Sequence, residues 1–599
     1  MLQKMLSRHS TGAVVWAVLL GLLLSQTPVY GIRSGLRLMF EVRDHIHRYY
    51  VEPVDSTQVI DAALNGLLGS LPLGENVYIS PRDMRYLTDD LPEAMPLQLD
   101  NQDQIRLVDE VIRRVSREYV DQVSPDTLSR GLVRGMLTSL DPHSTYLEPD
   151  EYDELVERFR GDFEGIGIYF EVRDGKLLVI SPIVGSPSYG KLRAGDHIVA
   201  IEGISTDGIT SEMVMKKLRG PKDSAVRVTV SRQGRREPFE VEIKRDRIEI
   251  RSVPYAFMIR PGTGYVRIAH FAETTGAELQ RALDELLDRG MEQLLLDLRG
   301  NGGGLLTQAV DVADCFLEPE QLIVYTQGRG RHARQEFYAE RPPHLNGIPI
   351  VVLIDYGSAS ASEIVAGALQ DLDMALLAGQ PSFGKGLVQE QFPLRTNGGL
   401  LLLTVARYYT PLGRLIQRPY REDDPQAHYR GEELDADAAD SLRAAQATFR
   451  TGLGREVHGG GGITPDVVLE ADAYDDFVYE IFASRALADY SSRLAGTRQD
   501  WPREFSVYRD EFQLSQSDLE GFTAYLDSIG VRPDPVLLEP HAELLRNLLK
   551  AGVAQVLWGD EQRYQIQIEA NNMVQEALAL FDQAGELVTQ RRARQKRDY

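Results

Sequence analysis

Cysteine is almost absent from this chain, which has 599 residues and a single cysteine, Cys315. One cysteine excludes an intramolecular disulfide, and the sequence contains no CxxC pair that could hold zinc. Tryptophan is also scarce, since Trp16, Trp501 and Trp558 are too scattered to form a binding box. No carboxylate cluster has the ligand spacing of a calcium site. We therefore expect no metal and no cofactor.

Positive charge is in the minority. The chain has 65 Lys and Arg against 89 Asp and Glu, which gives a formal net charge of -24. A general nucleic-acid binder needs a basic face that displaces counterions. The charge balance argues against a nucleic-acid partner, and solubility is its simplest consequence.

Long uncharged apolar runs are rare, and the clearest is AVVWAVLLGLLL at residues 13–24, which follows Lys4 and Arg8. A basic segment before ~7–15 apolar residues is typical of a secretory signal, and a spanning helix usually needs ~20. Residues 1–31 are predicted to be a signal peptide, with an uncleaved membrane anchor as the second interpretation. We expect an exported protein, periplasmic or in the cell envelope.

The length predicts three to five domains at ~100–200 residues each. Segments that start at Leu36 and Ile105 align without gaps at an offset of 69, which places Gly66 opposite Gly135. Apolar residues at spacings of three and four in both copies predict helices. We predict one helical unit at residues 32–100 and a second at 101–158, used for packing or dimerisation.

Beyond the repeat, the pattern changes twice. Residues 159–248 contain short β-type runs such as KLLVISPI and AVRVTVSR around one amphipathic segment, SEMVMKKLRG, which predicts a small β-rich domain. Residues 249–471 alternate strands and helices, and the continuous apolar runs QLLLDLRG and PIVVLIDYG predict a sheet covered on both faces. An acidic stretch at residues 421–440 is predicted to be an exposed insertion. Residues 472–599 are predicted to be helical, so the fold class is α/β, or α+β over several domains.

The stretch GQPSFGKG at residues 379–386 has the spacing of a phosphate-binding loop. Such a loop needs Ser or Thr after the lysine and must lead into a helix. Here Gly386 follows Lys385, and the continuation GLVQEQFPL is β-like. The nucleotide interpretation fails on both counts.

Upstream, three serines, Ser358, Ser360 and Ser362, lie where a predicted strand turns into a helix. Free backbone N–H groups and the helix dipole at such a turn favour an oxyanion, although one serine would serve equally well as the helix cap. A serine nucleophile needs a base. His143 and His458 are distant candidates, and Lys385 is another because burial lowers the pKa of an amine.

These motifs resemble the C-terminal processing peptidases, or tail-specific proteases. The family patterns S-A-S-A-S-E-I, A-x-Q-D and F-G-K-G-x-V-Q stand here at residues 358–364, 368–371 and 383–389. The resemblance implies a serine endopeptidase with Ser360 as nucleophile, Lys385 as general base and Gln389 as the residue that orients the lysine. Asp371 matches a supporting acidic position. The implied fold is a core like that of the Clp proteases and crotonases, with an inserted PDZ domain.

Two further stretches extend the resemblance. DLRGNGGG at residues 297–304 has Gly302 where the family has proline, and by position the amides of Gly303 and Ala361 would form the oxyanion hole. EGIGIYF at residues 164–170 resembles the PDZ loop and strand that bind a C-terminal carboxylate. The residues of that loop and strand are Gly165, Ile166, Gly167 and Ile168.

The sequence thus predicts an exported serine endopeptidase that takes a protein or peptide with an exposed C-terminus and uses no cofactor. A homo-oligomer or an adaptor would use the helical regions, and the N-terminal segment would provide any membrane association. The alternative from another class is a catalytically silent scaffold that binds peptides through the PDZ domain alone.

Overall fold

The computed structural model describes the chain from residue 35 to residue 598 with gaps. The described ranges are 35–71, 123–173, 175–183, 185–193, 195–232, 234–330, 334–420, 447–470, 474–531 and 535–598, with residues 108, 111, 112 and 115. The predicted signal or anchor and the predicted acidic insertion lie outside them. Within these ranges, no helix combines the length and apolarity needed to cross a membrane.

The N-terminal repeat forms helices where both copies are described. Residues 35–49 (α1), Ser56–Gly69 (α2) and Pro125–Thr138 (α3) are helical. Asp55 and Ser124 cap α2 and α3 by accepting a hydrogen bond from the first turn, at 2.8 and 3.1 Å. Repeat-equivalent positions Met39 and Val108 are both fully buried in one apolar cluster.

Helices α2 and α3 pack through the equivalent glycines of the repeat. A Cβ atom on Gly66 would lie 2.3 Å from the carbonyl oxygen of Gly131, and one on Gly135 would lie 2.2 Å from that of Ala62. Because Ala62 and Gly131 are also equivalent in the repeat, the two copies meet with approximate twofold symmetry. The duplicated unit therefore packs on itself within the chain, and its use in dimerisation stays a prediction.

Gly66→Ala is expected to lower the free energy of unfolding by about 2 kcal/mol, because overpacking forces a well-packed interface apart. Gly69→Ala is the matched control, since a Cβ there meets nothing within 4 Å and the same helix carries both positions. Thermal and denaturant unfolding of both variants measure the difference. Equal stability of the two variants would show that α2 and α3 can separate without cost.

A short strand and a helix connect this unit to a β-rich domain. They are Thr145–Leu147 (β1) and Pro149–Arg160 (α4). The described residues of this domain form the helix Ser211–Leu218 (α5) and the strands Asp162–Gly165 (β2), Ile168–Arg173 (β3), Lys176–Pro182 (β4), His197–Ile201 (β5), Ile204–Ser205 (β6), Ala225–Ser231 (β7), Phe239–Lys244 (β8) and Asp246–Glu249 (β9). Its main sheet has the order β3-β4-β5-β7-β8, so β3 lies at an edge.

The central domain is built on a six-stranded sheet of order β10-β11-β12-β15-β16-β21. Its strands are Tyr255–Arg260 (β10), Thr263–Arg267 (β11), Gln293–Asp297 (β12), Ile350–Ile354 (β15), Leu376–Gly379 (β16) and Val467–Val468 (β21). All pairs are parallel except β10 with β11. Helices Thr275–Asp288 (α6), Leu306–Asp314 (α7) and Ala361–Asp371 (α8) supply apolar residues to a core on one face.

A second sheet joins the central domain to the N-terminal helices. It contains β1 with Leu322–Gly328 (β13), Gln335–Tyr338 (β14), Leu387–Pro393 (β17) and Leu400–Tyr409 (β18). Leu401 and Leu403 of β18 are buried in the cluster formed by α1, α2 and α3. A hairpin of Thr448–Arg450 (β19) and Glu456–His458 (β20) follows. The strand β17 directly after Lys385 confirms that this loop does not lead into a helix.

The C-terminal region is helical, as predicted. Its helices are Asp476–Ser484 (α9), Ala486–Thr497 (α10), Phe505–Asp510 (α11), Gln516–Ser528 (α12), Pro535–Leu557 (α13), Asp560–Glu569 (α14), Asn572–Leu578 (α15) and Phe581–Asp598 (α16). Apolar residues of the last three, among them Val574, Ala577 and Ala584, pack against Leu295 and Val351 of the central sheet. These helices cover its second face, which explains why the central strands are apolar throughout.

Candidate active site

Ser360 lies at the turn between β15 and α8, immediately before the first residue of the helix. Its backbone has φ +54° and ψ −111°, a conformation that is uncommon for a residue with a side chain. Strained backbone of this kind is found most often at functional sites, where the surrounding structure holds it in place. The turn presents the hydroxyl beside the N-terminal amides of α8.

Lys385 is held by a side chain of β17. Its Nζ donates to Gln389 Oε1 at 2.6 Å, and Gln389 Nε2 donates to the backbone carbonyl of His143 at 2.6 Å. Burial lowers the pKa of the Lys385 amine, and the carboxylates of Asp141 and Glu363 oppose this only in part. Burial thus shifts the lysine toward its neutral form relative to an exposed lysine, and Gln389 accepts the hydrogen bond of its amine.

Ser360, Lys385 and Gln389 line one cavity of about 830 Å³. Its wall combines α4, the end of α5 in the β-rich domain, the loop after β12, and β17. The lining includes neither His143 nor His458. The backbone of His143 supports Gln389, and the carbonyl of His458 accepts from Arg414, so the two histidines have structural contacts here.

Glu363 ties the nucleophile turn to the lysine loop. This fully buried carboxylate accepts from the Ser360 N–H at 2.7 Å and the Lys385 N–H at 2.9 Å. It also accepts from Ser382 Oγ at 2.6 Å and the Gly384 N–H at 2.7 Å. Burial raises the pKa of Glu363, and the four hydrogen bonds counteract that effect. One side chain therefore sets the position of both backbones.

The glycine-rich loop after β12 packs directly on this turn. A Cβ on Gly303 would lie 2.8 Å from Ser360 Cβ and 3.0 Å from the amide nitrogen of Ala361, and Gly303 has φ +98°. The Gly303 N–H donates to Asn301 Oδ1 at 2.9 Å, so this amide is engaged within the loop. A Cβ on Gly302 meets nothing within 4 Å, which leaves room there for the ring of the family's proline.

Asp371 lies at the far end of α8, away from the cavity. It forms an ion pair with Arg414 at 2.5 Å, and both side chains are fully buried. Its other oxygen accepts from the Leu412 N–H at 2.9 Å. These contacts fix the helix that carries Ser360 to the segment after β18, which fits a supporting position.

The four residues of the predicted peptide-binding loop join β2 to the edge strand β3. Gly165 ends β2, Ile168 begins β3, and Gly167 between them has φ +73°. The Gly167 carbonyl accepts from the Ile183 N–H at 3.0 Å and from Ser186 Oγ at 2.8 Å. The loop is thus fixed beside an open sheet edge, an arrangement that can add a peptide as a further strand.

Sequence reasoning missed four residues around the cavity. Glu363 stands in the capping-box pattern S-x-x-E with Ser360, a signal that could have found it. Tyr408 donates its hydroxyl to the Lys385 carbonyl at 2.6 Å, Asn301 bonds to the Gly303 amide, and His270 lines the cavity with its pKa lowered by burial. Asn301 stands in the DLRGNGGG motif and Tyr408 in the stretch ARYYTPLGRLIQ at residues 406–417, but neither was expected to have a catalytic role. No local pattern pointed to His270.

Comparison with known proteins identifies both domains. Residues 262–425 match the model of peptidase family S41, and residues 165–243 match that of the PDZ domain. A carboxy-terminal-processing protease of Bartonella bacilliformis is 39% identical over 313 residues, which is 51% of this chain and 71% of that protein. The carboxy-terminal processing protease CtpB of Bacillus subtilis is 33% identical over 315 residues, 52% of this chain and 65% of that protein.

A solved structure of a photosystem II D1 C-terminal processing protease has 25% sequence identity and a TM-score of 0.35, over 73% of this chain and 93% of that one. The sequence relatives decide the assignment, because the match at 39% identity covers more than two thirds of the Bartonella protein. The chain therefore belongs to peptidase family S41, as a serine protease of the carboxy-terminal-processing group with a PDZ domain.

Proposed function

We propose that this chain is an exported endopeptidase that binds the C-terminus of a protein through its PDZ domain and cleaves it with a Ser360–Lys385 dyad. The observation that carries the proposal is the setting of Lys385. Its amine is shielded from water, bonded to Gln389, and lines the same cavity as Ser360. A neutral amine beside a serine is the arrangement that activates the hydroxyl without histidine.

In the first half of the reaction, Ser360 Oγ attacks the carbonyl carbon of the scissile peptide bond while its proton passes to Lys385 Nζ. The oxyanion is stabilised by backbone N–H groups at the turn, for which Gly303 and Ala361 are the proposed donors. Since the Gly303 N–H bonds to Asn301 in this structure, substrate binding must exchange that bond for one to the oxyanion. The C–N bond then breaks, and the Lys385 ammonium returns its proton to the leaving amine.

The second half removes the acyl group. Water attacks the ester that joins the substrate to Ser360, and Lys385 accepts the proton of that water. The ester C–O bond breaks, the new carboxylic acid leaves, and the proton returns to Ser360 Oγ. The hydrogen bond to Gln389 would hold the Lys385 amine in one position during both halves.

The PDZ domain would select the substrate and hold it near the dyad. The loop of Gly165 to Ile168 would bind the terminal carboxylate, and the edge strand β3 would pair with the peptide backbone. Met215 and Arg219 at the end of α5 line the catalytic cavity, so the peptide-binding domain forms part of its wall. Arg219 also donates to Glu157 of α4 at 2.6 Å, which joins this wall to the helix beside it.

Export, membrane association and assembly belong to the same proposal. Export rests on the pattern of residues 1–31, and any membrane association rests on the same segment. Dimerisation or adaptor binding is proposed for the helical regions. The silent-scaffold alternative would require that the PDZ domain binds peptides while the dyad does no chemistry.

Trapping of the acyl-enzyme tests the proposal. The protein is mixed with a peptide that has an ester at the scissile position and a free, apolar C-terminus. The mixture is quenched in acid and digested, and the mass of the fragment that contains Ser360 is measured. We expect an added mass equal to the acyl group, together with a burst of released alcohol. A peptide that binds by fluorescence anisotropy yet stays intact would establish the scaffold instead. Cleavage with no acylated Ser360 would assign the reaction to another mechanism.

A further inference from the structure

Asp297, the last residue of β12, is the centre of a buried hydrogen-bond network. Its side chain is fully buried and accepts from Arg299 Nη2 at 2.7 Å and from the Tyr265 hydroxyl at 2.7 Å. Burial acts to raise the pKa of Asp297, but the guanidinium of Arg299 holds it below its ordinary value. The network therefore contains a carboxylate that needs every donor around it.

Two side chains of the C-terminal helical region complete this network. The Tyr265 hydroxyl lies 2.8 Å from the Tyr564 hydroxyl. Because Tyr265 has one proton and donates it to Asp297, Tyr564 must be the donor in this bond. Arg299 Nη1 donates to Asn571 Oδ1 at 2.9 Å. Tyr564 of α14 and Asn571, the cap of α15, thus contact two partners of Asp297, Tyr265 and Arg299, from the second face of the sheet.

The turn that this network holds leads directly into the loop beside the nucleophile. Gly300, the residue after Arg299, donates its N–H to Asp355 Oδ1 at 2.7 Å. Asp355 lies in the segment that leads to Ser360. Gly303 then packs against Ser360 and Ala361. Tilting of the Asp297–Arg299 turn would move this loop relative to the serine, and misplacement of about 1 Å can cost about 100-fold in rate.

We propose that Tyr564 and Asn571 are positioning residues of the protease, and that the C-terminal helical region supports the oxyanion loop within the same chain. This assigns a catalytic purpose to residues that lie beyond the segment 262–425 matched by the peptidase family. The inference rests on the proposed role of the Gly300–Gly304 loop. The region does more than cover the sheet, because two of its polar side chains, Tyr564 and Asn571, contact partners of the carboxylate at the turn that carries this loop.

Tyr564→Phe tests the inference by removing one hydroxyl and keeping the ring. The matched control is Tyr255→Phe, because Tyr255 stacks on Tyr564 at 3.6 Å between centroids and bonds to Asp560 at 2.6 Å. Each variant loses one hydrogen bond at the same interface. We expect Tyr564→Phe to lower kcat about tenfold with KM within about twofold, and Tyr255→Phe to leave kcat within about twofold. Equal kcat values for the two variants would overturn the inference.

Asn571 provides a second pair of variants. Its Oδ1 also accepts from the Val574 N–H at 3.2 Å and caps α15. Asn571→Asp keeps both the cap and the acceptor for Arg299, whereas Asn571→Ser keeps the cap but is too short to reach the guanidinium. We expect the aspartate variant to retain wild-type kcat and the serine variant to lose about fivefold. Equal loss in both would reduce the role of Asn571 to helix capping.

Hydrogen–deuterium exchange separates this inference from the proposed function. The amides of residues 298–305 should exchange faster in Tyr564→Phe than in Tyr255→Phe, whatever the catalytic activity. If the wild-type protein cleaves nothing and this difference appears, the dyad mechanism fails while the structural coupling stands. If exchange is the same in the two variants, the inference fails even for an active protease.

Discussion

Lys385→Met is expected to lower kcat by about 10⁴-fold on a peptide amide, because the serine then has no base. Methionine has nearly the length of lysine and packs well in apolar surroundings, so the fold should be retained. Ser360→Ala should reach the same low rate, and the double variant should be no slower than either single one, since the two residues act as a unit. Steady-state kinetics on one peptide compare the three.

The pH dependence of kcat/KM for the wild-type protein tests the same role of Lys385. The neutral amine is the active form, so kcat/KM should rise with pH until Lys385 is deprotonated. Because burial lowers the pKa of Lys385, the midpoint of this rise should lie below 10.5, the ordinary value for lysine. The rising limb should vanish in Lys385→Met.

Lys385→Arg should not restore activity, because a guanidinium stays protonated throughout this range. Lys222→Met is the control, since this exposed lysine of the β-rich domain is paired with Asp246 and does not line the cavity. A variant without Lys385 that cleaves at the wild-type rate would contradict the proposed mechanism directly.

Glu363→Gln is expected to lower kcat about 100-fold and the free energy of unfolding by about 3 kcal/mol. Both carboxylate oxygens are used, since Oε1 accepts from Ser382 and Gly384 and Oε2 from Ser360 and Lys385. In glutamine an NH₂ group replaces one of these oxygens. Its two N–H donors would then face the two donors that the oxygen accepted from. The turn of Ser360 and the loop of Lys385 should then move apart, which misplaces nucleophile and base together.

Asp314→Asn is the matched control for Glu363→Gln. Asp314 is a buried carboxylate that accepts from the Glu340 N–H at 2.8 Å and from Arg341 Nε at 2.6 Å, and it does not line the cavity. The control should lose stability but keep kcat. Unfolding curves and single-turnover rates below the melting transition distinguish the two effects. A Glu363→Gln variant with wild-type kcat would show that the two backbones are held by other contacts.

Much of the fold could be predicted because its signals are local. The strand runs QLLLDLRG and PIVVLIDYG became β12 and β15, and the segment after Ser360 became α8. Each follows from apolar periodicity over fewer than about 15 residues. Such patterns could not predict that α14 to α16 cover the second face of the sheet. A continuous apolar strand shows that both faces are covered, but it does not show which segment covers them.

The residues of the site could be predicted, but their hydrogen-bond and ion-pair partners could not. The family resemblance named Ser360, Lys385 and Gln389, and the structure places all three around one cavity. The partner of Asp371 was not predictable, since Arg414 lies 43 positions away with no motif to link them. The Gly303 amide, expected to face the oxyanion, donates to Asn301 in this structure.

By itself the sequence determined the family and the order of the motifs, because those depend on residue types at short spacing, and the family resemblance implied the proposed dyad. Only the tertiary structure decided what holds the dyad. Glu363 joins two loops about 20 residues apart, and the bond between Tyr564 and Tyr265 spans 299 residues. Such contacts form when distant segments pack on one sheet, and no local pattern encodes which side chains then meet.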